Sequence, residues 1–260
     1  MSSSLQTTIR DLHLKRGRER RGLTLAEGVR LVEEALAAAV PIRGAAVSPA
    51  LEGTPRGVAL KAALEAAGVR LEEVAAPEFE RLAGTEHPQG IVAIIEPPRW
   101  SVRHMEAGTG AILVLDAVQD PGNVGTMLRT ALALGADGVV ALTGTAELAN
   151  PKVVRGSMGA LFRIPAAPAA PDEFLAWMAG QKMELWVAAM GGEALADAVA
   201  ARVGPGQRVA IAVGNEGAGV SAGLGAAAAR RVGIPLAPGA ESLNVSVAAG
   251  ILLYEVLRER

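Results

Sequence analysis

The sequence predicts an α/β protein of two domains, with a parallel sheet in the second. Three observations carry this. Apolar runs alternate with amphipathic stretches along the whole chain. Several of these runs in the second half are apolar throughout, as strands buried on both faces must be. A proline- and glycine-containing stretch without period, PPRWSVRHMEAGTG, interrupts the alternation between Glu96 and Gly110. The expected division is a smaller domain at residues 1–97, a linker at 98–109 and a larger domain at 110–260, for a chain of 260 residues.

In the first domain, residues 24–40 read as a helix that Thr24 caps, with Glu27 three positions later and Pro41 as its end. IRGAAVSP follows as a strand and VALKAALEAAG as a helix stopped by Gly68. VRLEEVA and GIVAIIEP complete the domain as a strand and a buried strand. The second domain opens with the strand AILVLDAV at 111–118. QDPG then leads into a helix from Asn123 to Leu134, with Asn123 as its expected cap. Further strands are GVVALT (138–143), ELWVAAM (184–190), RVAIAVG (208–214) and RVGIPLA (231–237). The last helix, Asn244 to Arg258, is apolar on nearly every side, which calls for packing between other elements or against a second subunit.

Composition excludes several classes of function. Half of the residues are hydrophobic and 20% are charged, so the chain is not disordered. The absence of cysteine excludes disulfides, thiolate zinc sites, iron–sulfur clusters and a cysteine nucleophile. His13, His87 and His104 show no ligand spacing, so no metal is expected. No apolar run reaches the roughly 18 residues of a membrane helix, and the first residues lack an apolar signal core. The expectation is a cytoplasmic protein with no membrane partner.

Net charge is −2, which argues against binding a polyanion over the whole surface. Yet Arg10, Lys15, Arg16, Arg18, Arg20 and Arg21 face only Asp11 and Glu19 within one short stretch. Lys15, Arg16, Arg18, Arg20 and Arg21 read either as a solvated helix face or as a patch for RNA phosphates. Three Trp, three Phe and one Tyr are too few for a platform that stacks single-stranded bases.

Three clusters follow predicted strands, where ligands of open α/β sheets bind. The first is Asp120-Pro121-Gly122-Asn123-Val124-Gly125, with Arg129 on the next helix among Leu128, Ala131 and Leu132. That setting predicts a buried guanidinium in need of an anionic partner. The second, Gly214-Asn215-Glu216-Gly217-Ala218-Gly219, is neither a Walker loop nor a dinucleotide fingerprint. Its glycines permit close approach of a ligand or another backbone. The third runs from Ile234-Pro235-Leu236 through Gly239 to Ser242-Leu243-Asn244-Val245-Ser246, and places more polar side chains before the last helix than capping requires.

Together these clusters resemble the three motifs of the SpoU (TrmH-type) RNA ribose 2′-O-methyltransferases of the SPOUT superfamily. Asn123, Gly125 and Arg129 match the first motif. Gly214, Glu216, Gly217 and Gly219 match the second, and Ile234 through Ser246 the third. NPKVVRGSMGALFRIP, between them, is also similar to the family. The two-domain layout resembles the thiostrepton-resistance rRNA methyltransferases.

The resemblance implies a C-terminal domain threaded as a deep trefoil knot, a smaller ribosomal-protein-like domain that binds RNA, and a homodimer. It implies S-adenosylmethionine as cofactor, near Met190, Gly191, Gly214, Glu216, Ile234, Leu236, Leu243, Asn244 and Ala248. Arg129 is implied as general base or phosphate holder and also as an RNA contact. Asn123 and Asn244 would orient it and the ribose, and Ser242 or Ser246 would fix the third loop. His87 lies in a turn the family uses for substrate contact or domain packing, although a plain surface turn fits the residues equally. Ribosomal RNA is the expected substrate. A tRNA 2′-O-methyltransferase and a catalytically silent RNA- or ribosome-binding homologue are the alternatives.

Overall fold

A computed structural model describes residues 4–108, 110–201 and 207–258. Residues 1–3, 109, 202–206 and 259–260 lie outside the described residues, and with them the last position of the expected linker and the outer ends of both expected domains. The chain groups into two compact units. One holds Met1–Pro98 with Ala149–Arg163, the other Arg99–Leu148 with Ile164–Arg260.

The first unit begins with α1 (Leu5–Leu12) and α2 (Lys15–Arg21), followed by β1 (Thr24–Glu27), α3 (Val29–Ala37) and β2 (Ile42–Val47). It continues through α4 (Pro55–Ala66), β3 (Leu71–Glu73), α5 (Ala76–Leu82) and β4 (Ile91–Ile95). The strands form one sheet in the order β1-β4-β2-β3. β4 is antiparallel to both of its neighbours, and β2 is parallel to β3.

The helix expected over 24–40 is corrected here. Thr24–Glu27 is a strand paired with β4, and only Val29–Ala37 is helical. Thr24 donates its hydroxyl to the carbonyl of Ala149 at 2.5 Å instead of capping a helix. Glu27 is buried and accepts from the backbone N–H of Gly84 at 2.9 Å and from the hydroxyl of Thr85. Gly28 turns the chain at a φ of +99°, which an L side chain rarely adopts. On a strand, positions three apart face opposite ways, so the Thr24/Glu27 spacing has no capping role.

The second unit is built on β5 (Ala111–Asp116), α6 (Pro121–Leu134) and β6 (Gly138–Leu142). The chain then contributes α7 (Pro151–Gly156) and a 3-10 turn at Ala160–Phe162 to the first unit. It returns with β7 (Ala166–Ala169), α8 (Pro171–Gly180), β8 (Glu184–Ala194), α9 (Leu195–Ala200) and β9 (Val209–Gly214). α10 (Ala222–Ala227), β10 (Arg230–Gly233) and α11 (Val245–Leu257) complete it. The six strands form a sheet in the order β10-β8-β9-β5-β6-β7, every neighbouring pair parallel. β5, β6 and β9 are buried almost without interruption, as their unbroken apolar runs require.

Two features of this sheet position the site. β5 lies between β6 and β9, so the strand order reverses there, and the loops after β5 and β9 leave the sheet side by side at the paired ends Asp116 and Gly214. On the other flank, Arg231 pairs with Val187 but Val232 pairs with Glu193. Residues 188–192 of β8 therefore leave the ladder as a bulge. β10 is also shorter than the run 231–237 suggested: it ends at Gly233, and Ile234 to Leu236 lie beyond the strand.

Candidate active site

The first cluster sits where β5 passes into α6. Asp120, not Asn123, is the helix cap: its carboxylate accepts from the N–H of Asn123 at 2.7 Å. With that N–H satisfied, the Asn123 side chain is free to bond elsewhere. Its Nδ2 donates to Glu216 at 3.1 Å, and its Oδ1 accepts from Nδ2 of Asn244 at 3.1 Å. One residue from each cluster thus meets at a single point. Asn244 also caps α11, accepting from the N–H of Ser246 at 2.9 Å and from its hydroxyl at 2.6 Å.

The loop after β9 is held from within and from β5. Asn215 accepts from the N–H groups of Gly217 at 2.9 Å and Ala218 at 3.0 Å. Its own Nδ2 donates to the carbonyl of Ala117 at 3.1 Å. Ala117 has a φ of +56°, an unusual backbone for a residue with a Cβ. Asp116, buried at the end of β5, accepts from the N–H of Ser221 at 2.6 Å. These anchors were not anticipated. A carboxylate closing a wholly apolar strand is the signal that would have found Asp116.

Beside this junction lies a cavity of about 1010 Å³. Its walls come from the bulge 188–192, the segment after β9, and the stretch from Arg231 to the start of α11. Of the residues the sequence assigned to a cofactor, Met190, Gly191, Ile234, Leu236, Leu243 and Ala248 line it, as does Ser242. Gly214, Glu216 and Asn244 do not line it. Gly214 instead packs against Gly219, whose carbonyl carbon lies 2.1 Å from where a Cβ would stand. Glu216 and Asn244 belong to the hydrogen-bonded junction. Glycine is required twice more: a Cβ at Gly192 would meet the carbonyl oxygen of Arg231 at 2.6 Å, and Gly191 has a φ of +67°.

Arg129 is not the buried guanidinium expected. Val124, Met127, Leu128 and Ala131 face the core, while Thr126, Arg129 and Leu132 form the exposed face of α6. Helical periodicity places Leu128 and Arg129 on different sides. Among the described residues Arg129 has no hydrogen-bond or ion-pair partner, and it projects into solvent from the helix that carries Asn123.

The basic stretch of the first unit also differs from a uniform patch. Arg18 is buried and donates to the carbonyls of Leu12 at 2.9 Å and His13 at 3.0 Å, so it holds the α1–α2 corner and is no phosphate contact. Gly17 permits that corner, since a Cβ there would meet the carbonyl oxygen of Asp11 at 2.0 Å. Arg20 and Arg21 bond Asp11 at 2.7 and 2.6 Å, and Lys15 faces Glu19 at 3.7 Å. The Arg21 and Arg20 guanidiniums hold the Asp11 carboxyl below its usual value. Arg16 is exposed, with no such partner among the described residues.

His13 bonds the carbonyl of Leu82 at 2.8 Å, and His87 is exposed in the turn before β4. Among the described residues no three His, Asp or Glu side chains cluster as metal ligands would. Among those residues no helix is long and apolar enough to cross a membrane.

Residues 110–254 match the SpoU rRNA Methylase family, and residues 7–93 match the MRM3-like substrate binding domain. The chain is 35% identical over 246 residues to the 23S rRNA (guanosine(2553)-2'-O)-methyltransferase RlmP of Bacillus subtilis, covering 94% of this chain and 92% of that one. The SpoU methyltransferase AviRb of Streptomyces viridochromogenes, solved in complex with AdoMet, superposes with a TM-score of 0.84 at 28% identity, covering 100% of this chain and 98% of that one. The AdoMet-bound rRNA methyltransferase of Sinorhizobium meliloti superposes with a TM-score of 0.83 at 29% identity, covering 99% of this chain and 97% of that one.

Proposed function

The chain belongs to the SpoU rRNA Methylase family, and from that premise we propose that it transfers a methyl group from S-adenosylmethionine to a ribose 2′-hydroxyl of ribosomal RNA. One observation carries the reading: Asn123, Glu216 and Asn244, each from a different motif, are bonded together beside a glycine-walled cavity.

The cavity suits the cofactor. Its volume is at the upper end of the roughly 300–1,000 Å³ usual for small-molecule sites. Backbone is laid open at Gly191 and Gly219, where no heavy atom lies within 4 Å of a notional Cβ. Its walls are otherwise largely apolar, which suits an uncharged nucleoside. Residues 188–192, 219–222 and 231–243 would hold it, mainly through backbone groups. S-adenosylmethionine supplies an electrophilic methyl group on a positively charged sulfur. A weakly polar wall favours loss of that charge.

Residues of this chain do the rest, and most of what they do is positioning. Asn123 and Asn244 fix the ends of α6 and α11 against each other and orient the ribose. Ser242 shapes the wall next to them. Arg129 offers hydrogen-bond donors and no acceptor, and it is exposed on α6. It binds an RNA phosphate and holds the 2′-hydroxyl in line. The proton leaves late, to phosphate or water.

We assign RNA binding to residues 1–97 and methyl transfer to residues 110–260, joined at 98–109; the match of residues 7–93 supports the first assignment. The C-terminal domain is read as a trefoil knot and the protein as a homodimer. Val247, Ile251 and Tyr254 on α11 and Leu132 on α6 are exposed apolar side chains that a second copy would cover. The protein is placed in the cytoplasm, with its ribosomal substrate.

The test is mass-spectrometric mapping of ribosomal RNA after incubation with the protein and labelled S-adenosylmethionine. The expected product is one ribose-methylated nucleotide. Methyl groups on a base, or none at all, would overturn the assignment.

A further inference from the structure

Resting on the cofactor reading above, we propose that Arg231 and Glu241 grip the amino-acid end of S-adenosylmethionine, Arg231 its carboxylate and Glu241 its ammonium group. They are the only charged residues among the described residues that line the cavity, and they carry opposite signs. Neither has a hydrogen-bond or ion-pair partner among the described residues. The neighbouring Arg230 shows the contrast: it bonds both carboxylate oxygens of Glu193, at 3.1 and 3.0 Å, and lies 5.7 Å from the ring centre of Trp186. Arg230 is consumed by structure, whereas Arg231 is left to the cavity.

The surroundings of Arg231 keep it there. Its backbone pairs with Val187 at the last rung before the bulge, and its carbonyl packs on Gly192. Its guanidinium reaches across α10 at Gly225, where a Cβ would stand 2.9 Å from Nη2. Any larger residue at 225 would displace the charge. Glu241 immediately precedes Ser242, so its backbone is tied to the loop that Asn244 anchors. A cavity with glycine and apolar walls, one unpaired cation and one unpaired anion matches a ligand with an uncharged nucleoside body and a zwitterionic tail.

Two thioethers isolate the tail. S-adenosylhomocysteine carries the amino-acid group, and 5′-methylthioadenosine has the same nucleoside without it. Dissociation constants for both are measured by calorimetry on the full chain and on Arg231→Gln, Arg231→Lys and Glu241→Gln. Arg231→Gln is expected to weaken S-adenosylhomocysteine about tenfold, the usual scale for one charge-assisted bond, and methylthioadenosine by less than about twofold. Arg231→Lys should recover part of the loss, and Glu241→Gln should behave like Arg231→Gln. Equal weakening of both thioethers, or no weakening of S-adenosylhomocysteine, overturns the proposal. If the unaltered protein binds neither, the cofactor reading fails and this one with it.

Discussion

The side-chain oxygen of Asn123 accepts a 3.1 Å hydrogen bond from Nδ2 of Asn244, a residue 121 positions further along the chain. One asparagine lies on the first turn of α6 and the other caps α11. The side chain of Asn123 bonds Glu216 and Asn244 at once, because an amide offers both a donor and an acceptor. Neither aspartate nor leucine can do this.

Asn244 has two tasks that substitutions separate. Asn244→Ala removes the cap and the bond to Asn123, and should lower stability by about 1 kcal/mol with a loss of methyl transfer. Asn244→Asp keeps the cap but loses the Nδ2 donor. Its thermal midpoint should stay near that of the unaltered protein while transfer remains impaired. Recovery of both in Asn244→Asp would mean that the bond to Asn123 is idle.

Arg129→Ala should reduce methyl transfer by about a hundredfold or more, with the dissociation constant for S-adenosylmethionine within about twofold. The side chain is exposed and packs on nothing in the core, so stability should not change. Calorimetry and single-turnover kinetics on one preparation test all three expectations.

In the basic stretch, Arg16→Ala should weaken RNA binding in a salt-dependent way, whereas Arg18→Ala should destabilise the first unit, whose α1–α2 corner it holds. The Asp11 pairing adds a pH signature. Because its folded pKa is lowered, its contribution is complete above the unfolded value, near 3.9, and disappears as pH falls through the lower folded value. Asp11→Asn should therefore cost stability at neutral pH, by a margin that vanishes in strong acid. Thermal melts across pH 2 to 7, about the range of this titration, measure it.

Phe162 is buried, and it packs within the first unit although it lies in the second half of the sequence. Phe162→Ala should cost about 3–5 kcal/mol. A fragment ending at residue 98 lacks this whole segment and should melt well below the intact chain by circular dichroism.

Ile251→Glu places a charge on the exposed face of α11. If that face joins two copies, the variant should sediment as a monomer where the unaltered protein sediments as a dimer. A monomeric unaltered protein would remove the dimer reading.

The sequence reveals the strands and the site in different ways. AILVLDAV and RVAIAVG are legible because burial on both faces keeps the five residues 111–115 and 209–213 apolar, with the polar Asp116 and Arg208 only at the edge of each run. The motifs are legible by resemblance. Thr24 and Glu27 mislead because a T-x-x-E spacing means a cap only if a helix follows at once, and here the carboxylate is claimed by Gly84 and Thr85, far along the chain. Arg129 misleads because apolar neighbours in sequence are not neighbours in space on a helix. The grouping of 149–163 with the first unit depends on long-range contacts such as Thr24 to Ala149 and Arg163 to Glu34 at 2.6 Å, which no local pattern encodes.

The bulge at 188–192 exists because β8 has five more residues than β10 needs between two flanking rungs. Shortening β8 by that surplus would let the two strands zip straight through, leaving the sheet whole and the pocket without one wall. The five residues of the bulge wall the pocket without holding a rung to β10, so this stretch is open to change for the sake of the ligand with no strand pair given up.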